Sequence, residues 1–342
     1  MKIAKKIFGI TAVVTVIVFG TTACVAAPPG QAQAQPAPAQ PGQAPAQFQA
    51  ADGSLQHHDP TQPVIDVAQL IHVDMVAVSG GNFPIGSSAD EIGRFPNEAP
   101  QRQTTLTGFY MSTNLVTQAL WEEVMGNNPS FFFANPAAGE VQGLRPVEWV
   151  SWYDVLVFAN RLSVLAGFTP AYMIDGSVNP AHWGPVPTTQ NAMWDAVIVV
   201  EGATGFRLPT EAQWEFAARA GTNTAFSNGT QDWAEGQSQL DSIGWFDFNS
   251  GGMTRQVALK EPNAWGLHDM HGNVFEWTWD RFGAYTSEAQ VNPTGAEEGA
   301  TRVVRGGDWL HSARYARSAN RSHETPATRV DNLGFRLVRP TN

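Results

Sequence analysis

Short apolar runs broken by glycine and proline fill most of this sequence, and only three segments keep the three-and-four spacing of an amphipathic helix. The first is predicted from Gln118 to Met125 after the cap Thr117. The second begins at Ser151 with Asp154 and ends at Gly167, and its apolar stripe consists of Trp152, Val155, Ala159, Leu162 and Ala166. The third is predicted from Glu211 to Ala220 after the capping box Thr210 and Gln213. Each begins at a side chain able to accept a free helix amide, and glycine marks each end. The rest of the chain is left to strands and irregular structure.

The strand signals are short and widely spaced. Met75 to Gly86 carries two apolar runs around Gly80-Gly81, which predicts a hairpin, and Phe109 to Ser112 predicts a further strand. The stretches between these elements are rich in glycine, proline and tryptophan. Twelve tryptophans predict a core filled by large rings rather than by regular layers.

The N-terminus has the order of a bacterial secretion signal. Lysines precede the uncharged apolar run Ile7 to Gly20, which is shorter than the span of about 20 residues that a membrane helix needs. Cys24 follows small residues, as in lipoproteins, although Thr21 stands where such signals have leucine. Residues 1–24 are therefore predicted to be a lipoprotein-type signal peptide with lipidation at Cys24. The alternative is an ordinary secretion signal that contains a cysteine.

Residues 25–65 are mostly alanine, proline and glutamine, a composition that cannot bury a core and predicts a solvated tether. A single domain is expected over 74–339. A lipid anchor and a tether predict display at the bacterial outer membrane or cell surface, with the anchor as the only membrane contact. Val25 after the cysteine favours the outer membrane, and a periplasm-facing anchor is the alternative.

Charge and cysteine content exclude some classes of function. The net charge of −11 argues against a nucleic-acid partner, and a single cysteine excludes a disulfide framework. The region from Arg302 to Arg339 is an exception, with eight arginines against three acidic residues. These arginines either pair with buried carboxylates as a framework, which their spacing beside small residues favours, or form a basic face.

Ordered motifs cover the whole of the predicted domain. The longest are Phe206-Arg-Leu-Pro-Thr-Glu-Ala-Gln-Trp-Glu-Phe-Ala-Ala-Arg219, Pro262-Asn-Ala-Trp-Gly-Leu-His-Asp-Met-His-Gly-Asn-Val-Phe-Glu-Trp277, and the segment from Arg302 to Arg336. Together they resemble the formylglycine-generating enzyme (sulfatase-modifying factor) family. The resemblance implies an α+β, C-type-lectin-like fold with little regular secondary structure.

The block Asp269-Met-His-Gly-Asn-Val-Phe-Glu276 supplies carboxylate, amide and main-chain oxygens, the hard ligands that Ca²⁺ prefers. In the family this block holds a structural calcium ion. The resemblance implies as ligands Asp269, the carbonyls of Gly272 and Val274, Asn273 and Glu276. The alternative is a polar turn whose carboxylates pair with arginine. His268 and His271 lack a third ligand at a recognisable spacing and are predicted to be packed or surface histidines.

The resemblance does not extend to the redox centre. The formylglycine-generating enzymes bind copper through two cysteine thiolates in the C-terminal segment, and this segment contains no cysteine. Without thiolates there is no soft Cu(I) site. The sequence therefore excludes copper and this oxidase activity, and it predicts a chain that is not an enzyme.

Within the candidate variable segment, residues 302–338, a constant frame alternates with irregular positions. The frame consists of Gly306, Gly307, Trp309, Arg317, Ser318, Ala319, Asn320, Arg321, Gly334, Phe335 and Arg336. The irregular positions are Asp308, Leu310, His311, Ser312, Tyr315, Ser322, His323, Thr328, Val330 and Asp331. Every residue type at the irregular positions can be reached from an asparagine codon by changing adenines only. This pattern resembles the variable proteins of diversity-generating retroelements, whose variable side chains form an exposed binding surface on a rigid scaffold.

These features predict a monomer displayed at the cell surface that binds a ligand, preferably a protein, through its irregular positions. One alternative is a fixed, non-enzymatic surface domain whose loop has drifted. Another is a periplasmic or surface enzyme with an unknown reaction. A titratable pair that converges in a pocket would favour the enzyme, and the residues able to form one are His311, Tyr315 and His323.

Overall fold

The structure is a computed structural model that describes residues 73–234 and 237–341, all within one compact unit from Pro63 to Asn342. The predictions for the signal peptide, for lipidation of Cys24 and for the tether fall outside the described residues. Within the described part of the chain, every helix is too short or too polar to cross a membrane.

Five helices and fourteen short strands form the regular structure of the described residues. The helices are α1 (Gln118–Met125), α2 (Trp152–Leu165), α3 (Ala192–Asp195), α4 (Glu211–Arg219) and α5 (Gln237–Leu240). The strands are β1 (Met75–Val78), β2 (Gly81–Ile85), β3 (Arg102–Leu106), β4 (Phe109–Ser112), β5 (Tyr172–Met173), β6 (Ile198–Val199), β7 (Gly244–Trp245), β8 (His271–Gly272), β9 (Phe275–Arg281), β10 (Gln290–Val291), β11 (Arg302–Arg305), β12 (Ser322–Glu324), β13 (Leu333–Gly334) and β14 (Val338–Pro340).

The capping residues begin α1, α2 and α4 where the sequence predicts. The Thr117 side chain accepts a main-chain amide at 3.2 Å, and Ser151 and Thr210 each form a complete capping box. Helix α1 ends at Gly126 in the left-handed conformation. Helix α4 ends at Arg219, one residue earlier than predicted, because Ala220 is itself left-handed with a φ of 44°.

The predicted hairpin from Met75 to Gly86 is wrong, because its two strands belong to different sheets. Strand β1 pairs with β4, whereas β2 pairs with β3. A Cβ on Gly80 would lie 2.5 Å from the carbonyl oxygen of Leu106 and 2.9 Å from the amide nitrogen of Gly108. Gly80 therefore permits a close backbone approach where the chain passes from one sheet to the next.

A four-stranded sheet in the order β12-β11-β9-β13 supports the C-terminal segment. Strand β9 runs antiparallel to β11 and parallel to β13, and β12 forms the edge beside β11. A second sheet, β1-β4-β14, joins the two ends of the described domain. The segment 302–338 is thus fixed to the fold at both of its ends.

Aromatic rings fill the space between α2 and the four-stranded sheet. The indole nitrogen of Trp152 donates to the carbonyl of Thr278 at 2.9 Å, and that of Trp277 donates to the carbonyl of Val150 at 2.9 Å. Eight of the twelve tryptophans are buried. Burial of one large apolar side chain contributes about 1.5–3 kcal/mol. The prediction of a core built from large rings is confirmed.

Candidate ligand-binding face

Burial divides the C-terminal segment into two sets of residues. All eleven frame residues between Gly306 and Arg336 are buried. Gly306 lies against α4, where a Cβ would be 3.1 Å from the ring of Trp214, and the ring of Phe335 packs against Phe158 of α2 with centroids 5.3 Å apart. The frame therefore belongs to the core of the domain.

Nine of the ten irregular positions keep part of their side chains at the surface. Leu310 is 53% exposed and His323 is also exposed. The partly exposed positions are His311, Ser312, Tyr315, Ser322, Thr328, Val330 and Asp331. These nine residues are at least partly exposed, as a binding surface requires. Their contact with a ligand stays a prediction.

Asp308 is the exception, since its side chain is buried. Its Oδ1 atom accepts the main-chain amides of Leu310 at 3.0 Å and of His311 at 2.8 Å, and the side-chain amide of Asn332 donates to Oδ2. The expectation that Asp308 is part of the exposed surface is wrong. Its carboxylate instead closes the turn that presents the next residues to solvent.

Four irregular positions line one concavity of ≈ 180 Å³. Its lining residues are Phe275, Val304, His311, Tyr315, Ser322, Glu324, Val330, Asn332 and Leu333. Strands β9, β11 and β13 supply the apolar residues Phe275, Val304 and Leu333, and edge strand β12 supplies Ser322 and Glu324. A space of this size holds one inserted side chain, whereas pockets for drug-sized molecules span about 300–1,000 Å³.

His311 and Tyr315 converge on this concavity, but His323 does not. The Nδ1 atom of His311 lies 2.8 and 2.9 Å from the two carboxylate oxygens of Asp308, and this hydrogen bond raises the pKa of His311. The centroids of the His311 and Tyr315 rings are 5.0 Å apart. The ring of His323 packs against Phe282 at 4.2 Å instead.

Three more irregular positions, Ser312, Thr328 and Asp331, adjoin residues of the lining. The carbonyl of Val330 accepts the amide of Trp149 at 3.0 Å, and the carbonyl of Asp331 accepts the indole N–H of Trp309 at 3.1 Å. Burial raises the pKa of Asp331. Two further contacts join Thr328 Oγ1 to Glu324 Oε2 at 3.3 Å and the Tyr315 amide to the Ser312 carbonyl at 3.0 Å. The irregular positions of three separate chain stretches are thereby tied to one surface.

Buried ion pairs hold the frame beneath this surface. Arg317 binds Glu98 through contacts of 2.5 and 2.9 Å. Arg321 binds Glu211 with the same two distances. Two more buried pairs join Arg305 to Glu215 and Arg336 to Glu276. For these four arginines the framework interpretation is confirmed and the basic face is wrong.

The carboxylates of the predicted calcium ligands are bound by other groups of the protein. Both oxygens of Glu276 face Arg336, with contacts of 2.7 and 3.0 Å. Asp269 accepts the amide of Ala258 at 2.9 Å and the side-chain N–H of Asn273 at 3.3 Å. The implied set was Asp269, Gly272, Asn273, Val274 and Glu276. As placed, Glu276 is neutralised by Arg336, as in the alternative interpretation, whereas Asp269 makes no ion pair with arginine within the described residues, so calcium binding stays a prediction.

His268 and His271 are packed histidines, as predicted. The Nδ1 atom of His271 donates to the carbonyl of Ala316 at 2.8 Å, and its Nε2 atom lies 2.9 Å from Ser227 Oγ. Burial lowers the pKa of His271 to about 4. Nδ1 of His268 donates to the carbonyl of Lys260 at 2.8 Å. No cluster of three metal-binding side chains occurs among residues 73–234 and 237–341.

Sequence reasoning missed a loop that borders the candidate face. The buried carboxylate of Glu148 accepts the amides of Phe131 and Phe132, each at 2.9 Å. Burial raises the pKa of Glu148 to about 7. The ring of Phe132 packs edge-on against Trp309 with centroids 5.2 Å apart. The run of three consecutive phenylalanines from Phe131 to Phe133 is the signal that could have identified this loop.

A profile of the sulfatase-modifying factor enzyme 1-like domain matches residues 62–341. The chain belongs to this family. It is 32% identical over 261 residues to chaperone protein LppX of Paenibacillus barcinonensis, covering 71% of this chain and 81% of that protein. It is 31% identical over 287 residues to the formylglycine-generating enzyme of Mus musculus, covering 77% of this chain and 74% of the enzyme.

The solved structure of Treponema denticola variable protein 1 has the same fold. The two chains match with a TM-score of 0.70 and 36% identity, over 78% of this chain and 94% of that chain. This match confirms the predicted α+β fold of the formylglycine-generating enzyme type. It also confirms the predicted resemblance of this chain to a variable protein. Of these three relatives, one is named as an enzyme, one as a chaperone and one as a variable protein.

Proposed function

We propose that this chain is a surface-displayed lipoprotein that binds ligands, chiefly proteins, through a diversified C-terminal face on a non-catalytic scaffold. The division between eleven buried frame residues and nine surface positions in the segment 302–338 carries this proposal. A scaffold that packs its constant residues inside can change its surface contacts without changing its core. The similarity to a variable protein and to a chaperone supports the same conclusion.

The chemistry of the face suits a protein ligand. Tyrosine, histidine, leucine and small hydroxyl side chains surround a concavity of ≈ 180 Å³ that can receive one side chain. Binding surfaces of antibodies combine rigid aromatic anchors with adaptable hydrogen-bonding groups in a comparable way. A nucleic-acid partner is not part of the proposal, because the chain carries a net charge of −11.

Display rests on the N-terminal residues. In this proposal Cys24 carries the lipid, residues 25–65 form the tether, and the monomeric domain stands away from the bacterial outer membrane or cell surface. Metabolic labelling with an alkyne-modified fatty acid tests the anchor. Label should enter the intact chain and be absent from the Cys24→Ser variant.

The genome tests diversification directly. We expect a near-copy of the codons for residues 302–338 close to the gene, together with a reverse-transcriptase reading frame. The two copies should differ only where the near-copy has adenine. If the neighbourhood holds no such copy, the C-terminal face is fixed, and the diversified binder is wrong.

One observation favours an enzyme as the second candidate. Asp308 holds Nδ1 of His311 at 2.8 Å, an arrangement that orients a histidine as a general base beside a concavity. Hydrolysis of p-nitrophenyl acetate by the wild type and by His311→Gln tests it. Turnover that disappears in the variant supports the enzyme. Equal background rates in both proteins contradict the enzyme and leave the binding protein as the proposed function.

A further inference from the structure

Three large aromatic side chains are exposed in the neighbouring loops, and Trp149 adjoins the concavity. Phe131 is 55%, Phe133 is 66% and Trp149 is 40% exposed. The rings of Phe131 and Trp149 stack with centroids 5.8 Å apart. The amide of Trp149 donates at 3.0 Å to the carbonyl of Val330, which lines the concavity. Phe131, Phe133 and Trp149 are called the aromatic ledge below.

The aromatic ledge is held in place from beneath. Glu148 fixes the amides of Phe131 and Phe132, and the ring of Phe132 packs against Trp309. Trp149 has a φ of 63°, a left-handed conformation that is unfavourable for a bulky residue. Backbone strain of this kind concentrates at binding sites and active sites. Here the strained residue displays an indole ring to solvent.

One carboxylate lines the concavity. Glu324 lines the concavity and makes no ion pair within the described residues. The arginines that flank the face have other partners, because Arg329 pairs with Asp154 at 2.7 Å and Arg314 donates to the carbonyl of Gly93 at 2.7 Å. Glutamate cannot arise from an asparagine codon by adenine changes alone. Glu324 is therefore not one of the irregular positions, and the aromatic ledge lies outside 302–338.

We propose that the aromatic ledge and Glu324 form a constant anchor for a peptide segment that carries a lysine or arginine beside an apolar side chain. The apolar side chain packs on Trp149 and Phe131, and the cation enters the concavity and pairs with Glu324. The irregular positions then select among such segments. This anchor rests on the proposed function and adds to it the class of partner that every version of the face accepts.

Selection of peptides tests the anchor. A displayed library of random short peptides is selected against the full chain, and one enriched peptide is made as a fluorescent probe. Enriched sequences should place lysine or arginine beside tryptophan, phenylalanine or leucine. Fluorescence polarisation should show about tenfold to a hundredfold weaker binding by Trp149→Gly, the loss expected for a central aromatic contact.

The same probe reports on the charge. Glu324→Gln should weaken binding about threefold to tenfold and remove most of its dependence on salt. Trp149→Gly relieves the left-handed backbone, so it should fold as well as the wild type. Val164→Ser and Val291→Ser are matched controls, since both valines are exposed on other elements of the fold. They should leave the affinity unchanged.

Two variants of the irregular positions separate the anchor from the proposed function. If Tyr315→Ala and Val330→Ser weaken binding while the ledge variants do not, the anchor is wrong and the proposed function stands. If neither set changes the affinity, both are wrong. A library that enriches acidic peptides or no peptide also overturns the anchor. A concentration-dependent dimer in analytical ultracentrifugation that Trp149→Gly abolishes would overturn it as well, because the aromatic ledge would then bind a second copy of this chain.

Discussion

Arg317 and Tyr315 lie two residues apart and serve opposite parts of the molecule. The guanidinium of Arg317 is buried and binds the carboxylate of Glu98, which lies far away in the sequence. The ring of Tyr315 is partly exposed and packs against the rings of Phe95 and His311. Within this one segment, therefore, the residues that stabilise the fold and the residues that form the surface are different.

The physical basis of this separation is the cost of an unpaired buried charge. Removal of one partner of a buried ion pair costs roughly 3–5 kcal/mol, whereas a surface substitution away from such features changes stability by about 0.5 kcal/mol or less. The frame cannot tolerate change, and the positions between frame residues can.

Arg317→Met should break the frame. The substitution leaves the buried carboxylates of Glu98 and Glu91 without their guanidinium, and we expect a loss of roughly 3–5 kcal/mol in the free energy of unfolding. Urea unfolding followed by tryptophan fluorescence measures it. Arg329→Met is the matched control, since that arginine is partly exposed and its loss should cost under about 1 kcal/mol. Equal losses in the two variants would contradict the comparison.

Glu148→Gln sharpens the comparison, because Glu148 is a buried acid without a bound arginine. Burial raises its pKa from 4.5 to about 7, so the native state binds this proton more tightly than the unfolded chain does. Its contribution to stability is greatest below pH 4.5 and is lost as the pH rises through 7. Relative to Glu148→Gln, the wild type should lose up to roughly 3 kcal/mol between pH 5 and pH 8. Unfolding curves at both pH values measure this, and a constant difference would contradict it.

His311 should show a smaller dependence on pH at the surface of the same segment. Asp308 raises the pKa of His311, so the protonated ring stabilises the fold. This contribution is complete below the ordinary histidine pKa of 6.5 and disappears as the pH rises through the higher native value. Thermal melting of the wild type and of His311→Gln should therefore differ more at pH 6 than at pH 9. The opposite order would contradict the assigned pair.

Substitution of several surface positions together should leave the fold intact. A variant with Leu310→Ser, Ser322→Asn, Thr328→Asn and Val330→Asn is expected to lose about 0.5 kcal/mol or less per site. Circular dichroism and urea unfolding measure this. A single frame variant, Trp309→Ser, provides the contrast and should lose several times more. Unfolding of the surface variant would show that the irregular positions also specify the fold.

Calcium should have the smallest effect of all. Glu276 is paired with Arg336, so addition of Ca²⁺ or of a chelator should leave the melting temperature unchanged. Differential scanning calorimetry checks this. A rise in melting temperature with Ca²⁺ that Glu276→Gln removes would restore the calcium site implied by the family resemblance.

Local signals in the sequence predicted the helices well and the sheets poorly. The caps at Thr117, Ser151 and Thr210 act within three residues, so a single sequence reveals them. Gly80 looks like a turn residue, but its function is to avoid a backbone more than twenty residues away at Leu106. Nothing in the order of nearby residues distinguishes these two uses of glycine.

The same limit applies to the candidate face. The division into frame and irregular positions was visible from codon logic, and burial agrees with it except at Asp308. That exception could have been foreseen, because an aspartate before a polar turn commonly accepts its amides. The partner of Glu276 could not, since Arg336 lies sixty residues further along the chain. The position of Trp149 beside the face could not be foreseen for the same reason, because Trp149 meets Val330 only in the fold.

The last strand of the domain has a genetic consequence. Strand β14 pairs with β4, and Arg336 just before it neutralises Glu276. An insertion or deletion that shifts the reading frame anywhere between residues 302 and 338 removes both contacts. The shifted product carries a buried charge and an open strand edge, so it stays unfolded and is open to proteolysis. Only a segment 302–338 that is translated in the correct reading frame therefore gives a folded domain.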